Sequence, residues 1–251
     1  MTAGLFVTGT DTGVGKTLVA AALIRALRAR GLRVAGMKPV ASGCERGASG
    51  LVGEDVRILT RAMDLDCEAR DINPYAFEPP IAPHLAAADV GVDIDIGVIR
   101  AAFERLRARA GCVVVEGVGG WRVPVGPARD MADVARALGL PVVLVVGVRL
   151  GCLNHALLTA QAVRATGLRL AGWIANRVDP HCLRADDNVA ALAERLEAPL
   201  LGDIPWLEDP DPARAARWLD LDAAGLSRLL KFAQASARQG ENGRKSAVCK
   251  E

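Results

Sequence analysis

The stretch Gly9-Thr10-Asp11-Thr12-Gly13-Val14-Gly15-Lys16-Thr17 separates a short apolar run from an amphipathic segment. It ends in the Gly-Lys-Thr of a phosphate-binding loop, although the strict pattern requires Gly at the position of Thr10. In such a loop, backbone N–H groups and the N-terminus of the next helix attract phosphate oxygens, and glycines leave room for them. The stretch therefore predicts a strand–loop–helix unit that binds a nucleoside triphosphate; the alternative is a glycine-rich turn without a ligand.

The segments on either side alternate between strand and helix patterns. The predicted strands cover 5–7, 33–40, 112–115, 142–146, 170–175 and 200–204, and the predicted helices cover 16–30, 95–109, 131–138, 154–165 and 184–196. Residues in the strands are continuously apolar, which is typical of a parallel sheet buried on both faces. The sequence therefore predicts an α/β fold: a single doubly wound domain with a mainly parallel sheet and helices on both faces, as in the P-loop NTPases.

The chain is predicted to form one folded domain followed by a tail. We expect residues 1–232 to form the domain and residues 233–251, which are polar and rich in Gly, Ser, Lys and Arg, to be a disordered tail. Residues 71–83 contain four prolines and no clear period, so they are predicted to be a long ordered loop.

The composition excludes several classes of protein. Of the 251 residues, 51% are hydrophobic, which is enough for a complete core and excludes global disorder. With 31 Lys and Arg against 29 Asp and Glu, the net charge of +2 provides no bulk attraction to nucleic acid or anionic lipid. No apolar run approaches the ~18–20 residues that cross a bilayer, and no secretory segment is visible. The six cysteines form no C-x-x-C pair, so we expect free thiols in a cytoplasmic protein rather than disulfides or a metal cage.

Two acids and a second lysine are candidates for the same site. Glu116 follows an apolar run, where an acid in phosphate-loop proteins commonly holds or orients Mg²⁺; the alternative is a solvated side chain at a strand end. Lys38 lies at the end of the second predicted strand, at the same edge of the sheet, where it either stabilises phosphoryl transfer or is an ordinary surface lysine. Asp55 comes just before a predicted helix and is a helix cap, an acid of the first turn or a site residue.

Other polar and aromatic residues give weaker signals. Asn176 either reads the edge of a nucleotide base or caps a turn, and Trp206 is either core or a wall for the base. The histidines His84, His155 and His181 have no ligand-like spacing, so we interpret them as structural or surface residues.

The phosphate loop also bears on a second class of function, the partner-regulated ATPase switch. Partitioning and cell-division ATPases of the deviant-loop class begin this loop with a signature lysine. The equivalent position here is Asp11, a carboxylate. This residue weakens the switch hypothesis, which remains the alternative to an enzyme.

Taken together, several segments resemble the dethiobiotin synthetases of biotin biosynthesis. The matching segments are 6–17, 36–43, 115–121, 144–156, 171–176 and 201–207. The resemblance implies an ATP-dependent carbon–nitrogen ligase, in which 7,8-diaminopelargonate takes up CO₂ or bicarbonate to give a carbamate. ATP phosphorylates the carbamate to a carbamic-phosphoric mixed anhydride, and closure of the ureido ring yields dethiobiotin, ADP and phosphate. It also implies a homodimer with the substrate site at the subunit interface, and no nucleic acid or membrane partner.

The resemblance implies roles for particular residues. Lys38, Lys16 and Thr12 would be catalytic, and Thr17, Asp55 and Glu116 would hold Mg²⁺. The residues implied for nucleotide binding are Gly13, Val14, Gly15, Lys16, Thr17, Leu18, Asp55, Glu116, Gly117, Val118, Gly119, Asn176, Arg177, Pro205, Trp206 and Leu207. Those implied for the diamine are Ser42 and, in the loop that would receive the other subunit's substrate carboxylate, Gly151, Cys152, Leu153 and Asn154.

Three positions depart from family members. Gly13 stands where some members have Glu, Arg177 where Asp occurs, and Asn188 where Tyr occurs near the substrate. These departures concern the contacts of the nucleotide base and of the diamine tail, and they leave the catalytic cluster unchanged.

Overall fold

A computed structural model describes residues 4–48 and 50–223. The predicted tail 233–251 and residues 224–232 of the predicted domain lie outside the described residues. In chain order the strands are β1 (Gly4–Gly9), β2 (Val34–Met37), β3 (Val40–Ala41), β4 (Glu45–Gly47), β5 (Gly50–Val52), β6 (Tyr75–Ala76), β7 (Cys112–Gly120), β8 (Pro124–Gly126), β9 (Arg129–Asp130), β10 (Val142–Gly147), β11 (Leu170–Asn176) and β12 (Leu200–Ile204). The helices are α1 (Lys16–Ala29), α2 (Glu54–Ala62), α3 (Ala69–Ile72), α4 (Pro83–Asp89), α5 (Ile96–Arg109), α6 (Met131–Leu138), α7 (Cys152–Ala165), α8 (Ala185–Arg195) and α9 (Pro212–Ala215).

Six strands form a parallel central sheet in the order β12-β11-β10-β1-β7-β2. The step from β1 to β2 crosses the sheet in one direction, and every later step through β7, β10, β11 and β12 crosses it in the other. Because such crossovers are right-handed, α1 lies on one face and α5 to α8 lie on the opposite face. The predicted α/β fold with a mainly parallel sheet and helices on both faces is confirmed.

The core on both faces holds the strands rigidly. On one face, α1 buries Leu23, Ile24 and Leu27. On the other, Trp173 of β11 is fully buried in a cluster with α7 and with Leu192 of α8. The carboxyl ends of all six strands therefore form one fixed edge, and the loops that leave this edge are where an open α/β sheet binds its ligands.

Two predicted strands have different boundaries in the structure. The prediction over 33–40 is wrong at its end, because β2 stops before Lys38 and Pro39, whose ring nitrogen has no hydrogen to donate. The chain after Pro39 forms β3, which pairs with β6 rather than with the central sheet. The opposite error occurs at 112–115, since β7 continues through Glu116 to Gly120 and pairs there with Gly9 of β1.

The predicted loop over 71–83 is also partly wrong. It contains the end of α3, all of β6 and the first residue of α4. Strand β6 exists because Tyr75 and Ala76 pair with Val40 and Ala41, a partner more than thirty residues away. Within the described residues, none of the helices combines the length and the apolar character needed to span a membrane.

Candidate active site

The phosphate loop after β1 has a shape that only glycine permits at two positions. Gly13 and Gly15 have φ of 74° and 84°, in the left-handed region that side chains with a Cβ rarely adopt. A Cβ on Gly15 would also clash with the amide nitrogen of Asn176. The loop therefore ends at Gly15 with the backbone N–H groups of the start of α1 facing the carboxyl edge of the sheet.

Asn176 fixes this loop from the neighbouring part of the sheet. It is the last residue of β11 and is buried, and its Nδ2 donates a hydrogen bond of 2.9 Å to the carbonyl oxygen of Val14. The side-chain nitrogen is thus used to brace the loop, while the side-chain oxygen is the atom left to accept a hydrogen bond from a base. Asn176 therefore holds the phosphate loop through its side-chain nitrogen, and a contact with a nucleotide base stays a prediction.

A polar cluster lies beside the loop, where α1, α2, β2 and β7 meet. The Oγ1 atom of Thr17 is 2.8 Å from Asp55 Oδ1 and 2.9 Å from Glu116 Oε1. The Nζ atom of Lys38 is 2.7 Å from Asp55 Oδ2 and 2.6 Å from Glu116 Oε1. The structure thus brings together four residues that are up to 99 positions apart in the chain, and Lys38 is not the surface lysine that its local sequence left open.

Burial and charge act against each other in this cluster. Burial lowers the pKa of Lys38, but the carboxylates of Glu116 and Asp55 outweigh it, and the net pKa is raised. Burial also raises the pKa of Asp55, yet the Lys38 ammonium leaves it below the ordinary value. For Glu116 burial dominates, and its pKa is raised despite Lys38. The pair formed by Lys38 and Asp55 is therefore charged, and Glu116 is the carboxyl that holds a proton most readily.

The cluster fits a magnesium ion. Glu116 Oε2 is buried and has no hydrogen-bond partner, although the carboxyl is fully inside the protein. Two carboxylates and a hydroxyl are hard oxygen ligands, which Mg²⁺ prefers, and this ion commonly completes its octahedron with water and substrate phosphates. In the described part of the chain, no group of three or more His, Cys, Asp or Glu side chains is arranged to hold a metal by itself.

Lys16 occupies the position from which a phosphate-loop lysine reaches a triphosphate. Its side chain is buried, and Nζ donates a hydrogen bond of 2.7 Å to the main-chain oxygen of Asp11. Burial and the neighbouring charge of Lys38 lower the pKa of Lys16 to about 8, although the nearby carboxylates oppose this change. A large part of the attraction for phosphate therefore depends on a proton that Lys16 holds weakly before a ligand binds.

The glycine-rich end of β7 runs past both the loop and the cluster. The carbonyl oxygen of Gly117 accepts from Lys38 Nζ at 3.3 Å. A Cβ on Gly119, which has a φ of 57°, would lie 3.6 Å from Thr12 Oγ1. The segment 117–119 thus contacts the cluster through Gly117 and passes close to Thr12 of the phosphate loop through Gly119.

The residues predicted for the diamine lie in two places. Ser42 follows β3, and its buried Oγ has no hydrogen-bond partner. Gly151 has a φ of 92° and precedes α7, whose N-terminus carries no side-chain cap. Because α7 begins at Cys152, two residues earlier than predicted, Cys152, Leu153 and Asn154 form its first turn. This helix end is a place where an anion is favoured.

The residues predicted for the base differ in exposure. Leu207 is buried, whereas Trp206 is 48% exposed, which excludes the interpretation of Trp206 as a core residue. The guanidinium of Arg177 lies 2.7 Å from Asp203 and 2.6 Å from Asp186. The guanidinium is therefore occupied by ion pairs with β12 and α8, and it is not available to contact a nucleotide base.

Two contacts of the site had no signal in the sequence. Asn73 donates through Nδ2 to the main-chain oxygens of Lys38, at 2.7 Å, and of Tyr75, at 3.0 Å, and so holds the strand break at Lys38 in place. Asp11 forms an ion pair of 2.7 Å with Arg149, which lies in the loop between β10 and α7. Both depend on partners far away in the chain, so no local pattern could indicate them.

A separate surface groove of about 530 Å³ lies beside the β8–β9 hairpin and α6. Its charged lining residues are Arg122, Arg129, Asp130, Asp133 and Arg136. None of the residues of the phosphate loop or the polar cluster lines this groove, so it is not the site described above.

Removal of Lys38 is expected to cost stability as well as activity. Lys38→Met leaves two carboxylates without their cation, so the free energy of unfolding should fall by about 3 kcal/mol. The double variant Lys38→Met/Glu116→Gln removes both sides of the buried pair and should recover most of this loss. Urea unfolding of both variants checks the prediction. Equal losses in the single and the double variant would contradict it.

ATP binding is expected to take up protons near pH 8. At that pH about half of the unliganded molecules carry a neutral Lys16, and the triphosphate favours the ammonium form, so affinity should fall as the pH rises above 8. Titration calorimetry in buffers with different heats of ionisation measures the uptake. The matched control is Lys16→Arg, because a guanidinium stays charged and should abolish the uptake. A binding heat that is the same in all buffers for the unaltered protein would refute the prediction.

Comparison with known proteins identifies the family. Residues 3–214 match a family model described as an AAA domain. The chain is 56% identical to the ATP-dependent dethiobiotin synthetase BioD of Aromatoleum aromaticum over 216 residues, which cover 86% of this chain and 96% of that protein. It is 52% identical to the BioD of Pseudomonas aeruginosa over 222 residues, which cover 88% of this chain and 97% of that protein.

Solved structures show the fold. A MinC:MinD cell division protein complex of Aquifex aeolicus matches with a TM-score of 0.52 and 15% identity, covering 93% of this chain and 95% of the matched chain. A ParA family ATPase of Chlorobium tepidum matches with a TM-score of 0.50 and 15% identity, covering 91% and 95%. Structural likeness at this level of identity establishes a P-loop NTPase fold alone. The sequence relatives decide the family: this chain belongs to the dethiobiotin synthetases.

Proposed function

We propose that this protein is an ATP-dependent cyclo-ligase that converts 7,8-diaminopelargonate and CO₂ into dethiobiotin. The observation that carries the proposal is the buried cluster of Lys38, Asp55, Glu116 and Thr17 beside the phosphate loop. Such a cluster provides cations and metal ligands at the place where a triphosphate and a second anion would meet. The membership of the chain in the dethiobiotin synthetase family supports the same reaction.

The chemistry explains why ATP is needed. One amine of the substrate adds to CO₂ and loses a proton, which gives a carbamate. An oxygen of the carbamate attacks the γ-phosphorus, the bond to ADP breaks, and a carbamic-phosphoric mixed anhydride forms. The second amine then attacks the carbonyl carbon, phosphate leaves with the electron pair of the broken C–O bond, and a proton is lost as the ring closes. Without phosphorylation, the anionic carboxylate of the carbamate is a poor electrophile.

The residues of the chain would serve mainly to hold two anions together. Lys16 and Lys38 would offset the charge on the transferring phosphoryl group and on the carbamate, and this electrostatic contribution is commonly the largest in such sites. Gly13 to Leu18 would cradle the triphosphate, and Thr12 and Ser42 would contact the carbamate or the diamine. The unpartnered hydroxyl of Ser42 supports that contact.

Magnesium would be held by Thr17, Asp55 and Glu116. The bound ion would neutralise negative charge on the β- and γ-phosphates during transfer. The orphaned Oε2 of Glu116 supports this assignment, because a buried oxygen without a donor is the kind of atom that a cation satisfies.

The base of ATP would lie between Asn176 and the segment Pro205–Leu207. The exposed indole of Trp206 supports a stacking wall, and the side-chain oxygen of Asn176, whose nitrogen is bound to Val14, would accept from an exocyclic amine. Arg177 would help to shape the base site through its main chain. Its N–H donates to the main-chain oxygen of Ile204 at 3.0 Å, next to Pro205, while its guanidinium is held by Asp203.

The active form would be a homodimer in which α7 of one subunit receives the carboxylate of the other subunit's diamine. Leu150, just before α7, is 96% exposed, and Leu158 on α7 is 56% exposed. Large apolar side chains that face solvent along one element are typical of a subunit interface. We further infer a cytoplasmic enzyme, because the five cysteines that the structure describes are all free thiols.

The partner-regulated switch is not favoured. The matched MinD and ParA structures share the fold, but the sequence relatives are synthetases. Asp11 also lies where a signature lysine would be needed, and its carboxylate is already paired with Arg149.

The direct test supplies purified protein with ATP, Mg²⁺, the diamine and isotopically labelled bicarbonate. The expected product is a cyclic urea that carries the label, with ADP and phosphate formed in step. Lys16→Met should lower turnover at least about 10²-fold, because it removes a charge that acts on the transferring phosphoryl group. A labelled ring that fails to form with the unaltered protein would end the assignment, and phosphate release without a ring would indicate a kinase or an ATPase.

Shared sites can be tested with mixed dimers. Asn154→Glu places a carboxylate at the N-terminus of α7, where it suits the helix but repels the substrate carboxylate. Lys16→Met and Asn154→Glu should each be nearly inactive alone. Mixing equal amounts should restore about a quarter of the unaltered activity, since half of the dimers carry one intact site out of two. If mixing restores nothing while the mixed dimers are shown to form, the shared site is wrong.

A further inference from the structure

The ion pair between Asp11 and Arg149 joins two loops that the proposed function assigns to two different ligands. Asp11 lies in the phosphate loop, and Arg149 lies between β10 and the N-terminus of α7. The Oδ2 atom of Asp11 is 2.7 Å from the guanidinium of Arg149. The pair therefore links the loop proposed for ATP to the helix end proposed for the diamine of the other subunit.

Every oxygen of Asp11 is committed to this region. Oδ1 accepts from the main-chain N–H of Thr12 at 2.7 Å, and the main-chain oxygen accepts from Lys16 Nζ at 2.7 Å. Together with the bond from Arg149, three separate groups are held by one residue. Movement of Lys16 onto a phosphate would change the surroundings of Asp11, and Arg149 would be the residue to respond.

Arg149 in turn fixes the start of α7. Its main-chain oxygen accepts from the N–H of Cys152 at 3.0 Å. The preceding residue, Val148, donates its N–H to the main-chain oxygen of Asn176 at 2.8 Å. Between Arg149 and the helix, the chain makes a turn through Gly151, so the orientation of the first turn depends on how Arg149 is held at both its main chain and its side chain.

The stability of the fold does not explain the pair. The side chains of Asp11 and Arg149 are 49% and 40% exposed, and ion pairs at such positions contribute little to global stability. A pair of this kind acts by restricting geometry rather than by holding the domain together.

We propose that Asp11 and Arg149 form a positioning pair that holds the N-terminus of α7 in register to receive the diamine carboxylate of the opposite subunit. This inference rests on the proposed function, because it requires that α7 binds that carboxylate. It predicts that loss of the pair weakens the binding of the diamine more than the binding of ATP, although Asp11 itself lies in the phosphate loop.

Kinetics of matched variants test the pair. Arg149→Met removes the charge and keeps the length, Asp11→Asn keeps an oxygen for Thr12, and Arg149→Lys retains a cation. The first two should each raise KM for the diamine about tenfold with KM for ATP within about twofold, and Arg149→Lys should recover most of the effect. Because the residues act as a unit, Asp11→Asn/Arg149→Met should be no worse than either single variant.

The control is Arg30→Met, which breaks an exposed pair of 2.9 Å with Asp222 at the far end of α1. It should leave both KM values unchanged. An unchanged diamine KM in Arg149→Met, an equal rise in KM for ATP, or additive effects in the double variant would overturn the proposal.

A mixed dimer shows which loop the pair positions. An excess of Lys16→Met places most Arg149→Met subunits in mixed dimers. The one working site of such a dimer combines the phosphate loop of the Arg149→Met subunit with the unaltered α7 of the Lys16→Met subunit. The proposal requires KM for the diamine to return to the unaltered value. If KM stays raised, the pair acts on the phosphate loop of its own subunit, and the proposal is wrong. Both outcomes leave the ligase assignment intact, because the label from bicarbonate reports it separately.

Discussion

A protonated lysine enclosed by two carboxylates is the interaction on which the site depends. Glu116 lies inside a buried strand, and a carboxyl placed there costs free energy unless a partner compensates. Lys38 provides that partner, and it also binds Asp55 at the start of α2. Because Lys38 contacts both carboxyl groups, β7 and the start of α2 are constrained to meet the end of β2 at one point beside the phosphate loop. The same arrangement that costs stability provides the concentration of charge that a phosphoryl transfer requires.

The shape of the phosphate loop is set by packing before any ligand binds. Gly15 leaves space that the amide of Asn176 fills, and this amide holds the carbonyl of Val14. A preformed loop need not be ordered when the triphosphate arrives, so less of the binding free energy is lost to ordering. Lys16 is the exception, since its ammonium group donates to the main-chain oxygen of Asp11 and must leave this partner to reach a phosphate.

The comparison with MinD and ParA illustrates how one fold carries different functions. The matched structures share the fold with this chain at 15% identity. In this chain Asp11 forms an ion pair with Arg149, and Arg177 forms ion pairs with Asp203 and Asp186. Both ion pairs join elements that are distant in the chain: the first links the phosphate loop to the loop before α7, and the second links the end of β11 to β12 and α8.

Local patterns were enough to predict the phosphate loop, the six strands of the central sheet and the five helices that connect them, because periodicity and a Gly-Lys-Thr ending need no distant contact. The resemblance to a family indicated which polar residues matter, but the residues alone left Lys38 and Asp55 open. Strands β3 and β6 escaped prediction, since two residues have no period and are strands only through each other. Asn73 and Arg149 could not be identified from the sequence, because their roles depend on contacts with residues that are distant in the chain. The sequence by itself determined the fold class and the nucleotide loop, whereas only the tertiary structure decided which charges meet, since ion pairs form between residues that the sheet, and not the chain, makes neighbours.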